Sequence, residues 1–594
     1  MRSSSVLTLL LLAALSWKAR GQAPSKATPA LAQSRAQLQA LFAEEWDDEL
    51  RTHPEWATAL GDKRFNDRLS DCSPQAIASS LARKQKFLKG FEAVNPAGFP
   101  AKDALSLSLM VRKLRIEIEG AQFKPWEMPV NQMDGPHLEM VELVNLTPFN
   151  DVQDYENYFS RLRQVPVLFE QTIGNMRQGM SDHLMPPRYL LEKAVVQAQD
   201  IARQTAAASP FAKPVEKFPA SVPPKDRERL RATIMAAIKS DVLPAYGKFA
   251  DFLHDDYAPR GRMDPGVWAL PDGEARYRYE IHRLTTTRLT SGQIHEIGLQ
   301  QVATTESAML ALAHRLGFPD LASLNDHIKK DRALYARSGQ QLLDLYQKYT
   351  RQMEAQLPKL FATLPRNRLE VVPMDPFRAK DAVPADYYPG AVDGSRAGRI
   401  NVNEWGPEQR LLLNVEAIAY HEGVPGHHLQ ISIAQENTDL PAFRRNGDYT
   451  AFVEGWALYS EQLGKEIGFY EDPYSDYGRL ENEMWRAIRL VIDTGVHSQH
   501  WSRDQMVDYF HRYTAMDEPN VQTEVDRYIA WPAQALAYKL GQLDILKLRQ
   551  EARQKLGPSF DLRSFHDALL SQGALPLDVL DEYLEQWIAA QQKH

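Results

Sequence analysis

The sequence predicts a mainly α protein with one short β element, and three observations carry that reading. First, apolar residues recur at spacings of three and four along most of the chain. AQLQALFAEEWDDEL (36–50) and YENYFSRLRQVPVLFEQTIGNM (155–176) show it well, and that is the period of a helix with one buried face. Second, helix ends can be read directly. Thr290 and Gln293 form a capping-box start for LTSGQIHEIGLQQVATTESAMLALAHRLGF, and Gly317 closes that run. Thr450 is the expected N-cap of TAFVEGWALYSEQL. Third, strand-like text is scarce. Its clearest cases are RLEVVP (368–373) and RINVNE (399–404), joined through DYYPGAVDGSRAG, where Pro389-Gly390 and Asp393-Gly394 mark turns. These strands lie just ahead of a helical run, LLLNVEAIAYHEGVPGHHLQISIAQE, so a small sheet is expected beside that helix.

The 594 residues carry ample apolar material for a large core. One helical domain is expected over 24–594, with a lobe at about 24–224 and another at about 225–594. The proline-rich SPFAKPVEKFPASVPP (209–224) is their expected connection. Net charge is −8 and no block of five or six Lys/Arg occurs, which speaks against nucleic acid as a partner. Arg2, the apolar Val6 to Trp17, and the small Gly21 and Ala23 read as an export signal, residues 1–23, cut near Ala23. The stretch is too short to span a bilayer, and no other run is long enough, so no integral membrane segment is expected after its removal. The expected location is periplasmic or secreted. No cysteine follows the apolar core, which rules out lipid attachment there. The single cysteine, Cys72, leaves no internal disulfide, and with no histidine near it in LSDCSPQ it is a poor nucleophile. Oligomeric state is not legible.

The chemistry concentrates in HEGVPGHH (421–428), which holds three of the chain's 16 histidines. It begins like HExxH, in which two histidines four apart share a helix face and grip one zinc, with the glutamate beside the metal's water. Here Pro425 stands where the second histidine belongs. On a regular helix, His427 lies about 9 Å along the axis from His421 and roughly 120° out of line, and His428 about 10.5 Å away. Neither pair can chelate from an ideal helix. Pro425 must kink or bulge the backbone, however, and Gly426 tolerates angles other residues avoid. Taking out Val424 and Pro425 leaves HEGGH, with His421, Glu422 and His427 in the usual offsets. His427 is therefore preferred as the second ligand, with His428 as its substitute. The third is Glu454, whose neighbour Gly455 permits close helix packing. Glu461, two turns further along the same face, is left to support or to solvent.

Beyond this motif, Arg489, Asp493 and His497 follow spacings of four on one helix face. Arg489 and Asp493 are an expected intrahelical pair, and His497 an expected supporting donor or substrate contact.

The segments YYPGAVDGSRAGRINVN, YHEGVPGHHLQ, VEGWALYSE, RAIRLVIDTGVHSQHW, RYIAWPAQALAYKLG and GALPLDVL, with EWATALGDKRFNDRLSD and DYENYFSRL near the N-terminus, carry a family likeness. The chain resembles the bacterial exported family catalogued as domain of unknown function 885. Through HEG…GH and the later glutamate it is similar to the gluzincin zinc metallopeptidases, especially carboxypeptidase Taq and the thimet-type oligopeptidases. That resemblance implies a large helical fold with a deep cleft, one zinc ion on His421, His427 and Glu454, and Glu422 as general base. It also implies a tyrosine that donates to the oxyanion, Tyr528 being slightly favoured over Tyr538. The β element would supply Tyr388, Arg396 and Asn401 as substrate contacts, its edge pairing with an extended peptide. Arg489 and His497 would be further contacts, and Arg486, Arg489 and Arg527 possible anchors for a substrate carboxylate. The expected activity is zinc-dependent hydrolysis of peptide bonds. The alternatives are hydrolysis of a non-peptide or cell-wall amide by the same chemistry, and a non-catalytic binding protein on the same fold.

Overall fold

The computed structural model describes residues 29–593 apart from 376–378 and 380–381, so the expected export signal lies outside the described residues. The chain is mainly α, as its periodicity predicts, with one three-stranded sheet. Only the elements that position the site are numbered here. Three N-terminal helices, α1 (Pro29–Thr52), α2 (Pro74–Glu92) and α3 (Ala101–Gly120), bury Leu38, Phe42, Phe87, Phe91, Met110 and Leu114. Those side chains build no core of their own. They share one with Phe443, Trp456 and Leu569, so the start of the chain closes over its end.

A second apolar cluster runs from Leu69 to Ala258. The proline-rich stretch contributes Phe211, Ala212, Val215 and Val222 to it, so 209–224 packs inside this cluster. The amphipathic run 155–176 divides into two helices, Val152–Leu162 and Val165–Ser181. Pro166 lacks the N–H a helix interior needs and sits in the first turn of the second helix, where that loss is harmless.

Next come α4 (Ser291–Arg315), which has the full Thr290–Gln293 capping box, and α5 (Gly339–Glu354). The sheet follows: β1 (Leu369–Pro373), β2 (Ala385–Tyr388) and β3 (Gly398–Val402), in the order β1-β3-β2. β1 runs parallel to β3. β2 runs antiparallel to it, with Asp386 opposite Asn401. β2 was not visible in the sequence, because four residues are too few to show an alternation. The inner side chains Ala385, Ile400 and Val402 pack on Val415, Ile418 and Ala419 of α6 (Val415–Glu422) and on Leu342 and Tyr346 of α5. The sheet thus lies against the helix that carries HE of HEGVPGHH. The remaining elements around the site are α7 (His427–Glu436), α8 (Thr450–Glu466), α9 (Pro473–Ser498), α10 (Glu518–Ala530) and α11 (Leu536–Leu556).

Candidate metal centre

The two residues that lengthen HExxH are taken up by a break in the helix, a larger change than the expected kink or bulge. α6 stops at Glu422, the Val424–Pro425 bond is cis, and α7 begins at His427. The gap is tied by hydrogen bonds from the Gly426 N–H to the Tyr420 carbonyl (3.0 Å), the His428 N–H to the Gly423 carbonyl (3.0 Å) and the Trp456 indole N–H to the Pro425 carbonyl (2.8 Å). A Cβ at Gly426 would stand 1.9 Å from the His421 carbonyl oxygen, so only glycine lets α7 start this close to the end of α6. The result is a perpendicular pair of imidazoles, His421 and His427, with ring centroids 4.9 Å apart.

Glu454 closes the triangle from just past the first turn of α8. Thr450 is the first helical residue there, with Tyr449 at the cap position and no side-chain cap, which corrects the expected Thr450 cap. Glu454 Oε2 stands 3.5 Å from His421 Nε2 and 3.4 Å from His427 Nε2, and one donor atom from each residue lies within 4.8 Å of the others. Burial would raise the Glu454 carboxyl, but the two imidazoles outweigh it and hold the group well below the usual carboxylate range. Its Oε2 is nevertheless buried without a hydrogen-bond partner. A buried carboxylate oxygen aimed between two ring nitrogens and bonded to neither suits a shared cation, and two nitrogens with one oxygen are donors that zinc takes. The opposite nitrogen of His421, Nδ1, is held by Glu461 Oε1 at 2.8 Å. Glu461 is itself steadied by Asn482 Nδ2 (3.3 Å) and Arg486 Nη2 (3.6 Å). That contact fixes the ring's orientation and leaves Nε2 as its free donor. His427 Nδ1 has no such partner.

Glu422 ends α6 beside this triangle. Burial pushes its carboxyl up to about 8, the Glu454 and Asp386 charges add to the rise, and His427 and Arg486 oppose it. Tyr538, on α11, lies nearly parallel to the His421 ring (15°, centroids 6.3 Å apart), and its hydroxyl has only a long contact, 3.5 Å, to Gln534 Nε2. Burial raises the phenol, and the nearby Glu454 charge raises it further.

Other expected site residues are placed elsewhere. The Tyr528 hydroxyl accepts from Trp485 Nε1 (2.8 Å) and Arg489 Nε (2.8 Å) and donates to Glu524 Oε2 (2.5 Å). Saturated and buried, it has nothing left for an oxyanion, so the preference for Tyr528 over Tyr538 is reversed. The helix that carries Tyr538 begins at Leu536, after the chain turns at Ala533 with φ 69°. Arg489 pairs with Glu524 (3.1 Å) and not with Asp493, which instead accepts from the Tyr277 hydroxyl (2.6 Å) and the Ala533 N–H (3.1 Å). Arg527 joins Arg489 on Glu524. Burial would raise that carboxyl, but the two guanidiniums take it down to about 2.

Both nitrogens of His497 are used, Nδ1 accepting from the Val267 N–H (3.0 Å) and Nε2–H donating to the Tyr528 carbonyl (2.9 Å), so it braces the fold. His428 is likewise spent between the Tyr387 hydroxyl (3.0 Å) and the Asn367 carbonyl (3.1 Å), which removes it as the substitute ligand. Arg396 donates to the Ala59 carbonyl (2.7 Å), tying the β2–β3 loop to the Pro54–Ala59 helix. Asn401 donates to Asp386 Oδ1 (2.7 Å) across the strands, and Tyr388 is half-buried on β2. Sequence reasoning missed Tyr387, whose ring lies 6.4 Å from His427 at 21°. The YYPG text held the signal, but only the strand's facing tells the two tyrosines apart.

The fold and donor set define a large, mainly α protein with a candidate His–His–Glu metal centre beside a small sheet. The family described as "bacterial protein of unknown function (DUF885)" matches residues 54–584, and the chain belongs to it. A crystal structure described as a "putative lipoprotein" from Colwellia psychrerythraea is similar at a TM-score of 0.89 and 28% identity, covering 94% of this chain and 99% of that one. A "putative lipoprotein of unknown function" from Shewanella oneidensis is similar at 0.70 and 17% identity, covering 93% and 99%, a likeness of fold alone. No curated protein matches the chain.

Proposed function

We propose that this protein is a zinc-dependent hydrolase of peptide bonds in small or extended peptides. The observation that carries the reading is the convergence of His421, His427 and Glu454 on one point, with the Glu422 carboxyl at the end of the helix that carries His421. These three side chains would hold one zinc ion. When bound, zinc supplies Lewis acidity, polarising the amide carbonyl and acidifying water. Glu422 takes the proton from the attacking water and returns it to the leaving amine. Tyr538 is the phenol placed to donate to the oxyanion. Among the described strands, β2 pairs on one side only, and Tyr387 on it packs over His427. That placement supports a substrate lying extended along β2.

We further propose an exported protein, periplasmic or secreted. The signal-like residues 1–23 and the lipoprotein description of the Colwellia relative support it. No helix among the described residues is long and apolar enough to cross a membrane. The test is elemental analysis of the purified protein followed by cleavage assays on peptides and on non-peptide amides. One zinc per chain and peptide cleavage abolished by a chelator are expected. Cleavage that survives metal removal would overturn the reading, and turnover of non-peptide amides alone would move it to the other substrate class.

A further inference from the structure

A cavity of about 40 Å³ lies at the N-terminal side of Glu422, between α5, α6 and α9. Its apolar wall is made by Leu342 and Tyr346 of α5, Val415 and Ile418 of α6, Trp485 of α9, and Met516 just ahead of α10. All six are buried. Ile418 is one helical turn before Glu422, so both side chains share a face of α6, about 6 Å apart along its axis. On the sheet side the cavity is bounded by Pro384, the residue directly before β2.

We propose that this cavity receives the aliphatic side chain of a residue flanking the scissile amide. The inference rests on the hydrolase reading and adds to it a substrate preference. Position supports it: a chain extended along β2, with its amide beside Glu422, has the Ile418 wall of this cavity one turn away on the same helix face. Chemistry supports it as well. Most polar groups at the rim are engaged, although Asn414, which donates to Glu481 Oε2 (3.1 Å), keeps a buried Oδ1 without a partner. Asn403 donates to the Ala379, Ala382 and Val383 carbonyls, and Asp517 accepts from Asn520 and faces Arg410. No unpaired charge is therefore offered to an occupant, and apart from the Asn414 amide oxygen the wall that remains is mainly hydrocarbon. Size selects further. A cavity of this volume holds about three water molecules, or roughly three to four carbon atoms. Valine and leucine side chains fit; phenylalanine and tryptophan do not.

The test is calorimetric binding of amino-acid hydroxamates, which ligate zinc without being turned over, to the zinc-loaded protein. Leucine hydroxamate is expected to bind roughly tenfold or more tighter than glycine hydroxamate, from burial of one aliphatic side chain, with tryptophan hydroxamate no better than glycine. Ile418→Phe and Leu342→Phe fill the cavity from two walls, and zinc stoichiometry reports whether each variant is folded. Either filled variant that keeps its zinc should bring the leucine-to-glycine ratio close to one. Equal affinities in the wild type, or a ratio unchanged by filling, would overturn the proposal while leaving peptide hydrolysis untouched. A leucine preference in a protein that cleaves no peptide would do the reverse, sustaining the pocket and removing the hydrolase reading. If neither hydroxamate binds, the metal centre and the pocket both fall.

Discussion

Gly455 and Gly541 cross backbone against backbone: a Cβ on Gly455 would stand 2.5 Å from the Gly541 Cα, and one on Gly541 would stand 1.8 Å from the Ala451 carbonyl oxygen. The crossing sets the separation of α8, which carries Glu454 and Glu461, from α11, which carries Tyr538. Gly541→Ala must push the two helices apart. The expected cost is about 1–3 kcal/mol, read as a lower urea midpoint, together with weakened zinc binding because Glu454 moves with α8. Unchanged stability and zinc affinity would mean that the crossing is slack.

Glu422→Gln keeps the shape of the side chain and removes its base. Zinc content should stay at one per chain, while kcat/KM on peptides falls by about 100-fold or more. Wild-type turnover in this variant would take the base role away from Glu422.

His427 and His428 are neighbours with opposite fates. His427→Ala should abolish zinc binding in a competition titration. His428→Ala should keep the metal and lose stability instead, because it leaves the Tyr387 hydroxyl without its 3.0 Å partner. The reverse outcome would hand the ligand role to His428.

Glu461 touches the candidate metal centre through His421 Nδ1. Glu461→Gln should lower zinc affinity by roughly 10–100-fold with stoichiometry restored at high zinc, the mark of an orienting group. Affinity equal to wild type would show that the His421 ring needs no such support.

Acid should destabilise the fold through histidines buried neutral. Burial takes His137 down to about 4 and His497 and His566 down to about 3, from 6.5. The unfolded chain therefore binds protons that the folded chain refuses. Stability is unaffected above pH 6.5 and is lost as pH falls from there towards the folded values, at about 1.4 kcal/mol per pH unit for each histidine. In His497, a proton on Nδ1 would also break the bond from the Val267 N–H. Urea unfolding at pH 7.5 and pH 5.0 measures the loss, and His137→Phe should reduce it by about 2 kcal/mol. A pH-independent midpoint in the wild type would contradict the burial argument.

Much of this protein was legible from local spacing. The helical class, the capping box at Thr290, the strands at 369–373 and 398–402, and the offsets that make His421, Glu422 and His427 one constellation all depend on residues within a few positions of each other. The close approach at Gly455 was readable for the same reason, as were the limits on Cys72, whose thiol burial pushes up to about 11, whereas Glu454, 27 residues after His427, took its standing from the preceding motif. What local pattern cannot carry is which polar atoms are already satisfied. Tyr528, Arg489, His428 and His497 each have chemistry suited to a site, and each is consumed by a partner 31 to 230 residues away in the chain. Tyr538 is distinguished from Tyr528 only by how the chain turns at Ala533. Sequence by itself thus determined the helices and the residues able to bind a metal, because those follow from short-range geometry. Tertiary structure decided which of them keep a free donor, because hydrogen-bond capacity is finite and is allotted by whatever the fold brings alongside.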